Sequence, residues 1–414
     1  MATSDSGNIL RLFRLPDFWH LLITRGCATL ASRALVVVVG YQVYELTKSP
    51  LALGLLGLVE AIPALSLALY GGHVADRYDR RTILTKSLPT LAACAGLLGV
   101  LTAVSHQGLT LVSLYGVIFV VGIARGLAEP ASSALEAQVV PVDLIVRSAP
   151  WFTSSWLVCA ITGPVVGGAV YAVGGPSPTY LLFAALYAAA WLAASRLSPY
   201  PVPPAPEGES IWQSIAEGVR YVAFDQVLLG SMALDLFAVL FGGVIAILPI
   251  FAKDILHVGP IGLGFLNAAP HAGALVTMLI ATVYPPVRNA GRSLLVAVAS
   301  FGVTMIVFAL STNFYLSLLV LFFSGVCDGV SVVVRRSIVR LFSPNHLRGR
   351  IAAVSMIFIG SSNELGALES GLAASWLGVI PSVIAGGSLT LLVVAITALL
   401  APRLRQLRLD VPPT

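Results

Sequence analysis

The residues with chemical potential are few, and they sit where charge is costly. Arg33, Glu60, Arg125, Glu129, Asp235, Asp328, Glu364 and Glu369 lie inside long apolar stretches, and His271 follows Pro270 inside another. An unpaired charge at the centre of a membrane helix costs about 3 kcal/mol on insertion scales, so eight facing lipid would cost on the order of 24 kcal/mol. They are expected to face the protein interior or water. Arg33 and Glu60 lie about 22 Å and about 16 Å from the inner ends of their segments at 1.5 Å per residue, so their long side chains could pair. The set is lopsided, with two arginines against six carboxylates. A carboxyl group in low dielectric tends to hold a proton. One whose surroundings hydrate and dehydrate in turn is a natural proton carrier, and Asp235 and Asp328 are the leading candidates. Either is equally able to be a hydrogen-bonded structural acid. His271 can relay protons near neutral pH or simply pack. Glu129 can reach the inner water layer and the basic loop after the second apolar segment. Glu364 and Glu369 are five residues apart and need not share a helix face.

Other chemistries find no footing. The chain has no Gly-x-x-x-x-Gly-Lys-Ser/Thr loop, no His-Glu-x-x-His pair and no Gly-x-Ser-x-Gly elbow. Six histidines are scattered without metal-ligand spacing. Cys27, Cys94, Cys159 and Cys327 fall in apolar runs and read as small buried hydrophobes. No enzymatic reaction, cofactor or metal is expected.

The elements that must carry these charges follow from composition. Of 414 residues, 57% are hydrophobic and only 10% charged, against about 25% charged in soluble domains. That excludes a soluble enzyme, a disordered chain and a secreted disulfide scaffold. The apolar runs are continuous, not alternating, which excludes a membrane β-barrel. They fall at 18–44, 51–72, 82–104, 110–136, 148–173, 178–196, 227–251, 260–283, 293–311, 314–338, 350–375 and 379–401. Each is long enough for a membrane helix of about 20 residues. The expected fold is an all-α integral membrane protein of twelve transmembrane helices. With the N-terminus inside, 19 of the 24 Lys and Arg fall in inner segments, two (Lys48 and Lys253) fall outside, and Arg25, Arg33 and Arg125 lie within helices. The positive-inside rule then makes both termini cytoplasmic and the protein multi-pass in the cytoplasmic (inner) membrane. The net charge of +5 reflects these loops and gives no reason to expect a nucleic-acid partner. Arg11 and Arg14 precede an apolar segment longer than a signal core, so no cleavable signal is expected.

The twelve segments form two groups of six. Pro201, Pro203, Pro204 and Pro206 make a stiff linker between them. Ser210 and Gln213 resemble a capping box, and Ile211, Ile215, Val219 and Val222 share one face of the helix that follows. It reads as an amphipathic helix on the inner membrane surface, or as a plain tether. The expected organisation is a first bundle over 1–197, a linker with this helix over 198–225 and a second bundle over 226–414. Six plus six suggests internal duplication around a central cavity. The loop Arg288–Arg292 faintly echoes the loop Asp76–Arg81.

That first loop is the strongest local motif. Gly72, then Asp76, Arg77, Asp79, Arg80 and Arg81, resembles the signature of the major facilitator superfamily, with Asp79 where the family has glycine. Opposite charges in a short hairpin can latch the cytoplasmic ends of two bundles, and Asp76 could face a helix N-terminus. An extra carboxylate at Asp79 could re-route that latch. Gly163, Pro164, Gly167 and Gly168 on the fifth segment resemble the antiporter motif of superfamily exporters, with Cys159 and Pro150 where two further glycines are usual. Glycines permit close helix approach and the proline bends the helix. Pro344–Arg350 and Asn363–Gly366 are similar to sequences in the enterobactin-exporter-like branch. Over about residues 15–405 the resemblance implies a twelve-helix fold, a cavity lined by the first, fourth, seventh and tenth helices, alternating access, a monomer and export driven by protons. Arg33, Arg125, Asp235 and Asp328 then fall one on each cavity helix. The expected activity is proton-coupled efflux of an amphipathic small molecule, siderophore-like or drug-like. The alternatives are a lipid or lysolipid flippase, which would also engage membrane lipid, and a receptor that binds without flux.

Overall fold

The computed structural model describes residues 11–104, 111–200, 211–284, 286, 288–344 and 347–409; the side chains of residues 65, 68–76, 211–215, 348, 352–353 and 356–357 lie outside that description. The described chain is helical nearly throughout, as backbone in hydrocarbon must be if its amides are to be satisfied within the segment. The long helices are α1 (Pro16–Thr47), α2 (Pro50–Arg77), α3 (Arg80–Val104), α4 (Leu111–Val139), α5 (Ile145–Gly174), α6 (Pro176–Ser195), α7 (Ile211–Phe224), α8 (Gln226–Gly242), α9 (Gly259–Val283), α10 (Ala290–Leu310), α11 (Phe314–Phe342), α12 (Arg348–Leu377) and α13 (Val379–Leu400). Among the described residues, ten spans are long and apolar enough to cross a membrane, on α1, α3–α6, α8–α11 and α13. Helix α2 adds a shorter apolar stretch, Pro50–Ala64, and α12 runs for 30 residues.

Two compact units emerge. The first comprises Met1–Thr47, Val59–Ala205 and Gly259–Gly264; the second comprises Lys48–Leu58, Pro206–Val258 and Phe265–Thr414. In the first, α1 packs on α5 and α6, and α3 packs on α4 and α6. In the second, α8 packs on α12 and α13, and α10 packs on α11 and α13. The pairing is the same in both.

Close crossings in each unit use a glycine stripe. Gly122 and Gly126 of α4 lie against Glu60, Pro63, Ala64 and Leu67 of α2, where an added Cβ would meet backbone. Gly325 and Gly329 of α11 lie against α9, the first against the Pro270 backbone and the second against the Thr277 side chain. Between helices in lipid there is little hydrophobic drive, so close backbone approach supplies the attraction. The Thr277 hydroxyl adds a bond to the Val326 carbonyl at 3.0 Å. Leu279, Ile280, Val296, Leu392 and Leu400 remain exposed, as lipid-facing positions would be.

Two findings concern helix ends. Helix α7 forms, and part of its apolar face rests on protein. Val222 is 2% exposed within an apolar core with Leu228, Leu294, Ile338 and Leu404. Gly218 lies against the Arg350 backbone, and Glu217 pairs with Arg350. The missing Cβ at Gly218 is what lets α7 lie down on α12. The proline run and Ser210 lie outside the described residues, as do the side chains of Ile211, Gln213 and Ile215. Secondly, the seventh segment, read as unbroken over 227–251, is interrupted. Helix α8 stops at Gly242, Gly243 is extended at φ −73°, ψ 102°, and short turns carry the chain to Ile255. Two adjacent glycines are poor helix formers, and the sequence carried that signal.

Candidate functional site

In the first unit the in-helix charges form a connected set. Arg125 stands between Gly122 and Gly126 on α4. It donates through Nη1 to Glu60 on α2 and through Nη2 to Glu129 Oε1 one turn on, at 2.9 Å. Glu60 thus takes Arg125, a partner that depth along the sequence does not assign it. Glu129 takes Arg125 as well, because a spacing of four residues puts both on one helix face. Arg25 of α1 pairs with Glu136. Arg33 of α1 lies with its guanidinium 5.1 Å from the Trp156 ring centroid, and Arg25 lies 5.7 Å from that of Phe152, both cation–π distances. Arg25 and Arg33 also act electrostatically on Glu129. Three arginines therefore face three glutamates. Glu129 is the open end of the set, its side chain 69% exposed while Glu60 is at 18%.

In the second unit Asp235 of α8 pairs with Arg335 of α11, at 7% and 11% side-chain exposure. The Arg335 Nε donates to the Ser331 hydroxyl at 3.2 Å. Asp328, also on α11, interacts electrostatically with both Asp235 and Arg335. Two aspartates thus share one buried arginine, with Arg336 acting on Asp328 from an exposed position. Arg335 is the member of this set that sequence reasoning misses. It groups with the inner basic residues that set topology, yet it lies inside α11. The spacing of Asp328, Ser331 and Arg335 at i, i+3 and i+7 marks one helix face and could have found it.

The remaining candidates are placed as follows. His271 is half-buried on α9 beside Pro270, against which Gly325 packs. Glu364 of α12 approaches Gly57. In α5, Gly163 lies against Leu30, where an added methyl would sit only 3.2 Å from the Arg33 Cβ, and Gly167 lies against Ala34. The antiporter-like glycines therefore seat α1 and, with it, Arg33. Gly168 lies against Pro260, and Pro164 against Gly264.

In the cytoplasmic loop the side chains of Gly72 and Asp76 lie outside the described residues. Arg77 closes α2 and is exposed. Asp79, the departure from the family pattern, accepts from the Arg81 and Thr82 amides at 3.2 and 3.3 Å and from the Thr82 hydroxyl at 2.8 Å. That is an N-cap on α3. Arg81 donates to the Ser195 carbonyl at 2.6 Å, at the C-terminal end of α6, and Arg80 donates to the Ala134 carbonyl at 3.5 Å. Both arginines thus bind carbonyls inside the first unit, the Arg81 contact at a helix end where the dipole favours a cation.

These charge sets belong to a chain whose relatives can be recognised along nearly its whole length. The multidrug efflux pump Tap of Mycolicibacterium fortuitum is 25% identical over 398 residues, covering 91% of this chain and 94% of that protein. The enterobactin exporter EntS of Shigella flexneri is 22% identical over 406 residues, covering 98% and 96%. Among solved structures, an inward-facing bacterial homolog of the human lysosomal transporter Spinster superposes with a TM-score of 0.73 at 15% identity, covering 94% of this chain and 96% of that one. A POT family transporter in complex with 5-aminolevulinic acid superposes with a TM-score of 0.76 at 11% identity, with the same coverage. The family of transmembrane secretion effectors matches residues 12–411. This protein is accordingly a multi-pass membrane transporter of the efflux type, not an enzyme, and it belongs to the transmembrane secretion effectors of the major facilitator superfamily.

Proposed function

We propose that the protein is a proton-coupled exporter of an amphipathic small molecule, working by alternating access across the inner membrane. In this reading all twelve long segments cross, both termini are cytoplasmic, a monomer suffices, and the two bundles divide near residues 198–225. The observation that carries the coupling is the second unit's charge set, Asp235 and Asp328 around Arg335. With one proton bound the three groups are neutral together. Without it they hold a net negative charge among apolar helices, which favours uptake of a proton or of a cationic group of the substrate. Competition between the two for one site is what an antiporter needs, because each ligand then biases the state the other requires. The first unit, with Glu129 as its open end, supplies both signs of charge for substrate polar groups. The export of a multidrug substrate and a siderophore by the relatives supports an amphipathic cargo.

The test is efflux from bacteria lacking their own pumps, using catecholate siderophores, cationic dyes and lysolipids, with and without a protonophore. Export of at least one member, collapsing with the protonophore, is expected. Asp235→Asn should still equilibrate that substrate but not move it uphill. Uphill export by Asp235→Asn at the wild-type rate would remove Asp235 from coupling.

A further inference from the structure

The break after α8 places a negative helix end and an acid in one cleft. Phe241, Gly242, Gly243, Ile247 and Ser382 line it together with Glu369 of α12. The C-terminus of a helix carries about half a negative charge on carbonyls without intrahelical donors. Among the described residues only part of that is answered, by the Ser370 hydroxyl donating to the Gly243 carbonyl. The crowding is built in. A Cβ on Gly366 would lie 2.8 Å from the Val239 carbonyl oxygen, and one on Gly386 would overlap the Phe241 carbonyl. Glycines on α12 and α13 thus let both helices close around the broken end.

Among the described residues, no basic side chain lines the cleft. Helix α13 carries no charged residue at all. On α12, Glu364 lies about 140° around the helix and approaches Gly57. On α8, Asp235 is engaged by Arg335 seven residues before the break. Beyond the break, Asp254 lies 3.8 Å from Lys48. A carboxylate and a carbonyl end facing each other without a cation repel.

We propose that the Glu369 carboxylate and the carbonyl end of α8 form a binding site for a single positive charge, a proton or a sodium ion, separate from the Asp235–Arg335–Asp328 set. The site deepens the transport reading by giving the second unit another coupling position at a helix break, where unwound carbonyls and an acid suit such ions.

The test needs no transported substrate, so it can fail independently of the efflux assay. The full-length protein, purified in detergent, is melted between pH 5.5 and 8.5 in choline chloride and in sodium chloride, alongside Glu369→Gln and Glu369→Asp. Wild type in choline should lose about 2–4 °C of Tm as pH rises, because the native state then gives up a proton that the unfolded chain would not need. Glu369→Gln, an isosteric change, should flatten that slope to what the Asp235–Arg335–Asp328 set alone contributes, and Glu369→Asp should keep it. If sodium is the occupant, sodium chloride restores the loss at pH 8.5, and radioactive sodium binds wild-type proteoliposomes but not Glu369→Gln. If the proton is, the two salts behave alike. An identical pH slope in wild type and Glu369→Gln, with no sodium effect on either, would overturn the site.

Discussion

The two units place opposite charges at the same point of the same motif. In α4, Arg125 precedes the second glycine of Gly122-x-x-x-Gly126; in α11, Asp328 precedes the second glycine of Gly325-x-x-x-Gly329. Each stripe packs on the neighbouring helix at an inserted proline, Pro63 or Pro270. The surroundings then diverge. Arg125 recruits Glu60 and Glu129, and with Arg25, Arg33 and Glu136 the first unit comes to three of each sign. Asp328 joins Asp235 around a single buried Arg335, and α12 adds Glu364 and Glu369. The same helix pairing thus carries one set with three of each sign and one whose buried members are acid-heavy, with Arg336 acting on it from an exposed position. A self-neutral set can hold its shape whatever else is bound. An acid-heavy set in an apolar setting needs a mobile positive charge. This is why the proposed coupling sites fall in the second unit.

The largest way to break that comparison is to remove the shared arginine. Arg335→Ala leaves two aspartates without their buried counter-charge and should cost about 3–5 kcal/mol of stability, as losing one partner of a buried pair does. Adding Asp235→Asn to it should recover most of the loss, a non-additivity that thermal unfolding of both variants measures. If the single and double variants melt together, the pair is not what holds α8 to α11. In the first unit Glu60→Gln should cost about 1–3 kcal/mol, since Arg125 keeps Glu129 but loses the charge of its less exposed partner. The same melts check it. A smaller cost in the first unit than in the second is the signature of a balanced set.

The scaffold is largely legible in the sequence, and the partners are not. Apolar runs give the positions of the long helices because length and hydropathy decide them locally. Glycine spacing is only half legible. The glycines of α5 stand out through a family motif, whereas those at 122, 126, 325 and 329, which hold the charges in register, look like ordinary small residues. Ion pairing is only partly legible, for a physical reason. Depth puts Arg33 and Glu60 within reach of each other, but it says nothing of rotation about a helix axis, and rotation is what turns Glu60 to Arg125. Arg335 escapes because a basic residue near the inner end of a span satisfies the positive-inside rule whether it is loop or core. Asp79 adds a local role that the family pattern does not show: the residue that suggests a re-routed latch also caps α3.

Of intermediate size is the packing of the antiporter-like motif. Gly163→Val should overpack α5 against Leu30 and the Arg33 Cβ, costing about 1–3 kcal/mol. It should also lower efflux by displacing α1, where the change at Gly116 of α4, with open space around it, should do neither. Comparing the two valine variants in the efflux assay separates a role in positioning Arg33 from general helix distortion.

The smallest effect tests whether charge matters by location or by number. Glu217 and Arg350 form an ion pair between α7 and α12, but Glu217 is half exposed, so screening and side-chain entropy should hold its worth below about 1 kcal/mol. Glu217→Gln should therefore change the melting temperature little and leave protonophore-sensitive efflux intact. The helix α7 keeps its place through Val222 and the contact of Gly218 on the Arg350 backbone, so Val222→Asp should release it where Glu217→Gln does not. Limited proteolysis near residue 220 reads that release directly. Equal protection in the two variants would mean that the apolar face does not hold α7 down.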